Sequence, residues 1–180
     1  PTNRRQRQMC IRDRYTLDTA FDISSKNAGS EEKLALNPAG DPISSQTDDI
    51  TFNNDGTKLF AISDNGAMNI HILSTPYDIS DATLVADDGI NWRTYKEPWG
   101  SSNTTMLPQT IRFNNDGTKM YLTEAVINTT DPQESVGVVQ YNLATPFVPS
   151  STTTVQVLNL RAQFPKTNIA IHAMNFDDDG

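Results

Sequence analysis

The chain carries few residues arranged for catalysis. Its two histidines, His71 and His172, lie far apart in the sequence, and no Ser/His/Asp grouping, metal-ligand spacing or glycine-rich phosphate loop can be assembled around them. A lone histidine is more often structural than catalytic, and we interpret both in that way. The sequence therefore nominates no catalytic residue, no cofactor and no metal site.

An acidic turn offers one candidate for calcium. The segment Asn175-x-Asp177-x-Asp179-Gly180 matches the first half of an Asp-rich calcium loop, but no bidentate glutamate follows it. The equivalent turns at Asp55 and Asp116 lack that spacing. We therefore interpret all these turns as hairpins in which Asp accepts backbone N–H groups, with a calcium site as the alternative.

The residues best suited to binding a ligand lie between positions 87 and 109. Trp92, Arg93, Tyr95 and Trp99 fall there, and they include both tryptophans of the chain. Exposed aromatic rings with polar neighbours suit recognition of a sugar or a protein. The alternative is that this segment covers the gap between two structural units and buries its aromatic rings.

The elements that would position these residues follow from an internal repeat. Ile50-Thr-Phe-Asn-Asn-Asp-Gly-Thr-Lys-Leu-Phe60 recurs as Ile111-Arg-Phe-Asn-Asn-Asp-Gly-Thr-Lys-Met-Tyr121, and a third copy begins at Met174. The phenylalanines of successive copies are 61 and 63 residues apart. A second motif alternates with the first, in the following three copies: Leu17-Asp-Thr-Ala-Phe21, Leu73-Ser-Thr-Pro-Tyr77 and Leu143-Ala-Thr-Pro-Phe147.

Each repeat predicts four short strands. In the second complete copy, residues 110–113 and 119–122 flank an Asn-Asn-Asp-Gly turn, which predicts a hairpin. Residues 136–143 and 152–160 are β-branched and alternating enough to form a third and a fourth strand. No segment has a sustained helical period, so we predict an all-β fold.

The Phe-x-x-Asp-Gly-x-x-Leu/Met-Phe/Tyr hairpin resembles that of the lactonase-like, YVTN-type and TolB-like β-propeller families. This resemblance implies a β-propeller fragment of four-stranded antiparallel blades. We expect the following parts: the end of one blade (15–47), a blade (48–87), an interblade loop (88–108), a second blade (109–160) and the start of the next (161–180). Further blades of the same chain would then be needed to close the ring. A purified chain of this kind is expected to be marginally stable or to self-associate.

The first fourteen residues are expected to be foreign to that domain of residues 15–180. Residues 4–14 resemble the translation of a common transposase-based sequencing adapter, so we expect residues 1–14 to make no regular contacts with the repeats. Without them, five arginines and one aspartate are lost, and the formal charge falls from −8 to near −12. Such acidity argues against a nucleic-acid partner, and no apolar run reaches membrane-span length. The Thr, Ser, Asn and Asp content favours a secreted, cell-surface or virion protein.

Two functions are compatible with such repeats. The first is a non-enzymatic binding or scaffold propeller that recognises a protein or glycan. The second is a propeller hydrolase or lactonase with its site in the central channel. In an up-and-down blade the first and third connections lie at one end, and the second connection and the interblade link lie at the other. Since the irregular segments 87–109 and 124–135 both belong to the second group, we expect them to form the binding face.

Overall fold

The structure, a computed structural model, describes residues 11–20, 22–36, 47–63, 65–87, 90, 92, 104–128, 135–160 and 171–176. The strands are β1 (Ile11–Arg14), β2 (Glu32–Ala35), β3 (Asp49–Phe52), β4 (Lys58–Ile62), β5 (Met68–Ile72), β6 (Thr83–Asp87), β7 (Thr104–Phe113), β8 (Lys119–Asn128), β9 (Ser135–Leu143) and β10 (Thr152–Asn159). Short 3-10 helices span Ile23–Ser25, Ala28–Ser30, Ile79–Asp81 and Pro149–Ser151. The prediction of an all-β fold is confirmed. No helix in these described ranges is long and apolar enough to cross a membrane.

Two four-stranded antiparallel sheets form the body of the molecule. The first sheet has the order β3-β4-β5-β6, and the second sheet has its four strands, β7 to β10, in the same sequential order. Each strand therefore pairs with the next strand along the chain. This is the strand order predicted for each repeat and the one that propeller blades have.

The two sheets pack face to face because the central strands are apolar on both sides. In β4, Phe60 and Ile62 pack against the second sheet, where their neighbours include Met120 and Tyr141. The alternate residues Leu59 and Ala61 point the other way, into a separate cluster that the β2 segment completes. Since side chains alternate across a strand, one sheet can contribute to two cores at once. The first sheet thus lies between two apolar layers.

The second sheet is longer than the sequence predicts. β7 begins at Thr104, inside the segment 88–108 expected to be an interblade loop, and β8 runs to Asn128. The interval 124–135, expected to be a loop, is therefore strand except for residues 129–134, which lie outside the described residues. The register shifts between Pro108 and Thr110. A bulge is a place where a sheet tolerates proline, so Pro108 does not end the strand.

The expectation that residues 1–14 make no regular contact is wrong for Ile11–Arg14. This segment forms β1 and pairs antiparallel with β2, with Ile11 opposite Ala35 and Arg14 opposite Glu32. β1 precedes the Leu17 motif as β5 precedes the Leu73 motif, so it occupies the position of a third strand. An unpaired edge of β2 offers a row of N–H and C=O groups to any extended segment, which accounts for the pairing.

Candidate functional site

The connections between strands separate into two groups, at opposite ends of the sheets. At one end, the backbone N–H of Tyr77 donates to Gly56 O at 2.8 Å, and that of Phe147 donates to Gly117 O at 3.0 Å. These bonds join the first and third connections of each sheet, and we call this the turn end. At the other end, the N–H of Trp92 donates to Gly66 O at 2.9 Å, which joins the intersheet link to the second connection. We call this the link end.

The turn end is built in the same way in both sheets. In each Asn-Asn-Asp-Gly turn the aspartate, Asp55 or Asp116, accepts hydrogen bonds from the backbone N–H and the hydroxyl of the threonine two residues later. The first asparagine accepts from the lysine N–H that opens the next strand, at 2.8 Å in both sheets. The two turns also touch, since the Asn54 amide donates to Asn115 O. The predicted hairpin chemistry is confirmed for these turns.

An aromatic ring packs against the glycine of each turn. Tyr77 and Phe147 have φ values of 61° and 55°, a left-handed conformation that is uncommon for bulky residues. Their rings lie directly on the turn glycines: a Cβ added to Gly56 would meet Tyr77 at 2.5 Å, and one added to Gly117 would meet Phe147 at 2.3 Å. Both glycines have positive φ as well. The two repeated motifs are therefore halves of one contact.

The turn aspartates are held in their ionised form. Hydrogen bonds from Thr57, through its hydroxyl and its N–H, lower the pKa of Asp55 below 3.8, and Thr118 does the same for Asp116. Because the Oδ1 atom of each aspartate accepts two hydrogen bonds from its own turn, these carboxylates have a structural role. The turn end therefore has the same hydrogen bonds and the same ring-on-glycine contact in both sheets.

The link end has a tight turn followed by a buried tryptophan. Between β4 and β5, Gly66 has a φ of 85°, and its N–H donates to Ser63 O at 2.9 Å. The side chain of Asn65 accepts from Ala67 N at 2.9 Å. Trp92 then crosses from this turn to the second sheet, where its ring meets that of Tyr141 edge-on, with 5.2 Å between centroids. The link is thereby fixed to both sheets.

Trp92 does not have the exposed position expected of a ligand-binding residue. Its side chain is completely buried in the core between the sheets, together with Phe60 and Met68. A large aromatic surface gains more from filling that gap than from remaining in water. The alternative, in which the segment covers the gap and buries its aromatic ring, therefore describes Trp92. Arg93, Tyr95 and Trp99 lie outside the described residues.

A strand extension projects at the same end. Thr104 to Pro108 of β7 pair with Asn128 to Glu124 of β8, and β9 joins them through Ser135 to Gly137. Within residues 47–63 and 65–87, the first sheet has no counterpart, because β4 ends at Ile62, which corresponds to Thr123 in the repeat. Five further paired residues in β7 and in β8 add roughly 17 Å of sheet. The link end is therefore the irregular end of the molecule.

A second candidate site is a groove on the far face of the second sheet. It has a volume of about 410 Å³ and is lined by the following residues: Tyr121, Val138, Gln140, Gln156, Val157, Leu158, Met174 and Phe176. The rings of Tyr121 and Phe176 lie 4.5 Å apart. Burial raises the pKa of Tyr121 above 10. No lining residue carries a charge at neutral pH, so the groove suits an apolar occupant.

The remaining candidates do not come together in the described part of the chain. His71 is buried in the first sheet, whereas His172 is exposed beyond the second. In the described residues, no three His, Cys, Asp or Glu side chains lie close enough together to hold a metal ion. Asp177 and Asp179, the calcium alternative, lie outside the described residues.

Two features of the site were not predicted from sequence. The ring-on-glycine contact had a signal, because Asp-Gly and Thr-Pro-Tyr/Phe recur in the same order in both repeats. The signal for the strand extension was weaker. The β-branched pair Val126-Ile127 favours a strand, but this strand can be predicted only once its partner at 104–108 is known. Both depend on pairing between distant segments.

Comparison with known proteins adds no assignment to this geometry. No protein-family model, curated protein or solved structure matches the chain at a significant level.

Proposed function

We propose that the chain is part of a non-enzymatic binding or scaffold β-propeller, of the kind that its repeats resemble, and that it recognises a protein or glycan at the link end. The observation that carries the proposal is the difference between the two ends. The turn end repeats the same closed turns, whereas the link end holds the intersheet link and the strand extension. Variable segments on a rigid scaffold are where binding usually resides.

The rigid part of that scaffold supports the proposal. Trp92 anchors the link to Gly66 and to the core, so residues 93–103 run between two fixed points, Trp92 and the start of β7 at Thr104. Anchoring both ends of a binding segment lowers the entropy lost when a ligand orders it. Within this segment, Arg93, Tyr95 and Trp99 have the side chains that most often dominate binding energy.

A glycan array and a peptide display library, both probed with the labelled chain, test the proposal. We expect a bound glycan or peptide whose affinity falls at least about tenfold in Trp99→Ala, Tyr95→Ala or Arg93→Ala. The matched control is Asn115→Ala, because Asn115 is exposed at the turn end. Trp92→Ala is unsuitable, since it would remove part of the core.

Two results would contradict the proposal. One is a ligand whose binding is lost in Asn115→Ala but kept in the three link variants. The other is hydrolysis of a lactone or ester panel by the chain, which would favour the propeller hydrolase with a site in the central channel.

A further inference from the structure

β2 is paired with a strand that does not have the sequence of the repeat. β1 occupies the position of a third strand, but its sequence, Ile-Arg-Asp-Arg, lacks the alternating apolar residues of β5, which reads Met-Asn-Ile-His-Ile. β1 nevertheless forms four antiparallel residue pairs with β2. An edge that accepts so different a sequence binds it mainly through the backbone, as in recognition by strand addition.

Charge favours the register in which β1 lies. Asp13 is opposite Lys33, and Arg14 is opposite Glu32. Residues of opposite charge stabilise an antiparallel pair when they face each other, and residues of like charge destabilise it. Lys33 also contacts Glu31 at 2.9 Å, an exposed ion pair of the kind that adds little to stability. A strand that binds to β2 in this register therefore needs an acidic residue followed by a basic one.

One position of β1 does not suit its place in the register. Arg12 lies opposite Leu34, which is buried in an apolar cluster. Arg12 is five residues before Leu17 of the repeated motif, and the residue five before Leu73 is Met68, which is fully buried. The repeat thus has an apolar residue where β1 has an arginine. A strand with an apolar residue at this position would suit β2 better than β1 does.

β1 has a different advantage, because the segment that follows it is fixed beside β2. The hydroxyl of Tyr15 donates to Glu31 Oε1 at 2.9 Å, and the N–H of Thr16 donates to Ser30 Oγ at 2.8 Å. These bonds hold β1 at a high effective concentration near the edge of β2. A separate peptide must therefore compete with β1.

We propose that the edge of β2 is a strand-acceptor site for an extended peptide segment of another protein, and that β1 is the internal strand that this peptide displaces. The peptide has an apolar residue opposite Leu34, an acidic residue opposite Lys33 and a basic residue opposite Glu32. The proposal depends on the register of β1 and β2, and it does not rest on the function proposed for the link end.

Fluorescence anisotropy of a labelled synthetic peptide, titrated with the full chain, tests the proposal. The peptide has the sequence of residues 8–14 with Cys10→Ser and Arg12→Val. We expect it to bind the Asp13→Pro chain at least about tenfold more tightly than the unaltered chain, because proline cannot donate to the ladder and β1 is released. Asp13→Ala is the matched control: it removes the same charge and keeps the backbone N–H, so its effect should be smaller.

A second peptide tests the register. It has the two charges exchanged, through Asp13→Arg and Arg14→Asp, and it should bind the Asp13→Pro chain at least about fivefold more weakly. Adding Glu32→Lys and Lys33→Glu to that chain should reverse the preference between the two peptides. If Asp13→Pro fails to fold, the full chain with Asp13→Lys and Arg14→Glu serves, because like charges then weaken the internal pairing.

Three results would overturn the proposal. One is that the first peptide binds none of the chains. Another is equal binding to the unaltered chain and to the chain with β1 released, which would place the peptide on a different edge or face. The third is a preference between the two peptides that stays the same after the charges of β2 are exchanged, since the charges would then not select the register.

Discussion

At the scale of single residues, the repeated motifs describe one contact made twice. Gly56 is held between two constraints, a positive φ and the ring of Tyr77 on its Cα, and Gly117 is held by Phe147 in the same way. The hydroxyl of Tyr77 adds a hydrogen bond to Asn54 O at 2.7 Å. Because a left-handed Tyr or Phe costs on the order of 1–3 kcal/mol, this conformation persists only where the ring contact offsets it.

Gly56→Ala is therefore expected to be strongly destabilising. The added methyl group would meet the Tyr77 ring at 2.5 Å in a backbone conformation that alanine disfavours, so we expect a loss of at least about 2 kcal/mol. Urea denaturation measures it. Gly29→Ala is the control: its Cβ would meet only Asn27 Oδ1, at 3.4 Å, and its effect should stay within about 0.5 kcal/mol. Equal losses of stability in Gly56→Ala and Gly29→Ala would show that the contact between Gly56 and the Tyr77 ring is unimportant.

Acid should weaken the same turns. The pKa values of Asp55 and Asp116 are lowered by the threonine hydrogen bonds, so their contribution is present above about pH 3.8 and is lost as the pH falls through the lowered values. The double variant Asp55→Asn, Asp116→Asn should therefore show a smaller loss of stability on acidification than the unaltered chain. Thermal melts between neutral pH and about pH 3 measure the difference. Asp18→Asn is the control, and an identical change in that variant would refute the assignment.

At the scale of strands, an ion pair joins the first strands of the two sheets. Asp49 of β3 accepts from the backbone N–H of Ile111 at 3.0 Å and from the guanidinium of Arg112, both in β7. The side chains of Asp49 and Arg112 are 18% and 27% exposed. A half-buried carboxylate that accepts two hydrogen bonds from a neighbouring sheet fixes the distance between the sheets at this edge.

Asp49→Ala is expected to cost about 2–3 kcal/mol, because it leaves Arg112 and the Ile111 N–H without this acceptor. Chemical denaturation measures the loss. Asp49→Asn should restore part of it, since an amide oxygen can still accept from Ile111. The exposed pair Glu31–Lys33 is the control, and Glu31→Ala should cost much less than Asp49→Ala, because exposed ion pairs add little to stability. A loss of that small size in Asp49→Ala would mean that solvent already separates the inner pair.

The sequence predicts the strands whose evidence is local. The Asn-Asn-Asp-Gly turns fix β3–β4 and the start of β7–β8, and the alternation of residues 136–143 and 152–160 fixes β9 and β10 to within a residue or so. It fails where the partner is distant. Pro108 suggests a loop, and only the pairing with Glu124 across the hairpin makes it a bulged strand. From its type alone, Trp92 is equally suited to a surface or a core. It lies in the core because its ring fills the space between the two packed sheets.

At the scale of the whole molecule, the sheets share a core and should unfold together. Phe60, Ile62 and Met68 come from the first sheet, Met120, Leu122 and Tyr141 come from the second, and Trp92 of the link lies among them. A core that spans two sheets couples their unfolding, since neither sheet can open without exposing apolar surface of the other. Amide hydrogen exchange in β4 and β8 is therefore expected to have a common opening free energy.

Trp92→Ala tests that coupling. Removing a fully buried tryptophan leaves a cavity between the sheets, and we expect a loss of about 3–5 kcal/mol, with a smaller loss in Trp92→Phe because the ring contact with Tyr141 is partly kept. If Trp92 is the bridge, the slowest amides of β4 and those of β8 should lose protection to the same extent. If only the strands next to the cavity lose protection, the sheets are independent units joined by a flexible segment. Unchanged stability in Trp92→Ala would mean that Trp92 is not part of the core and that the exposed position expected from the sequence is correct.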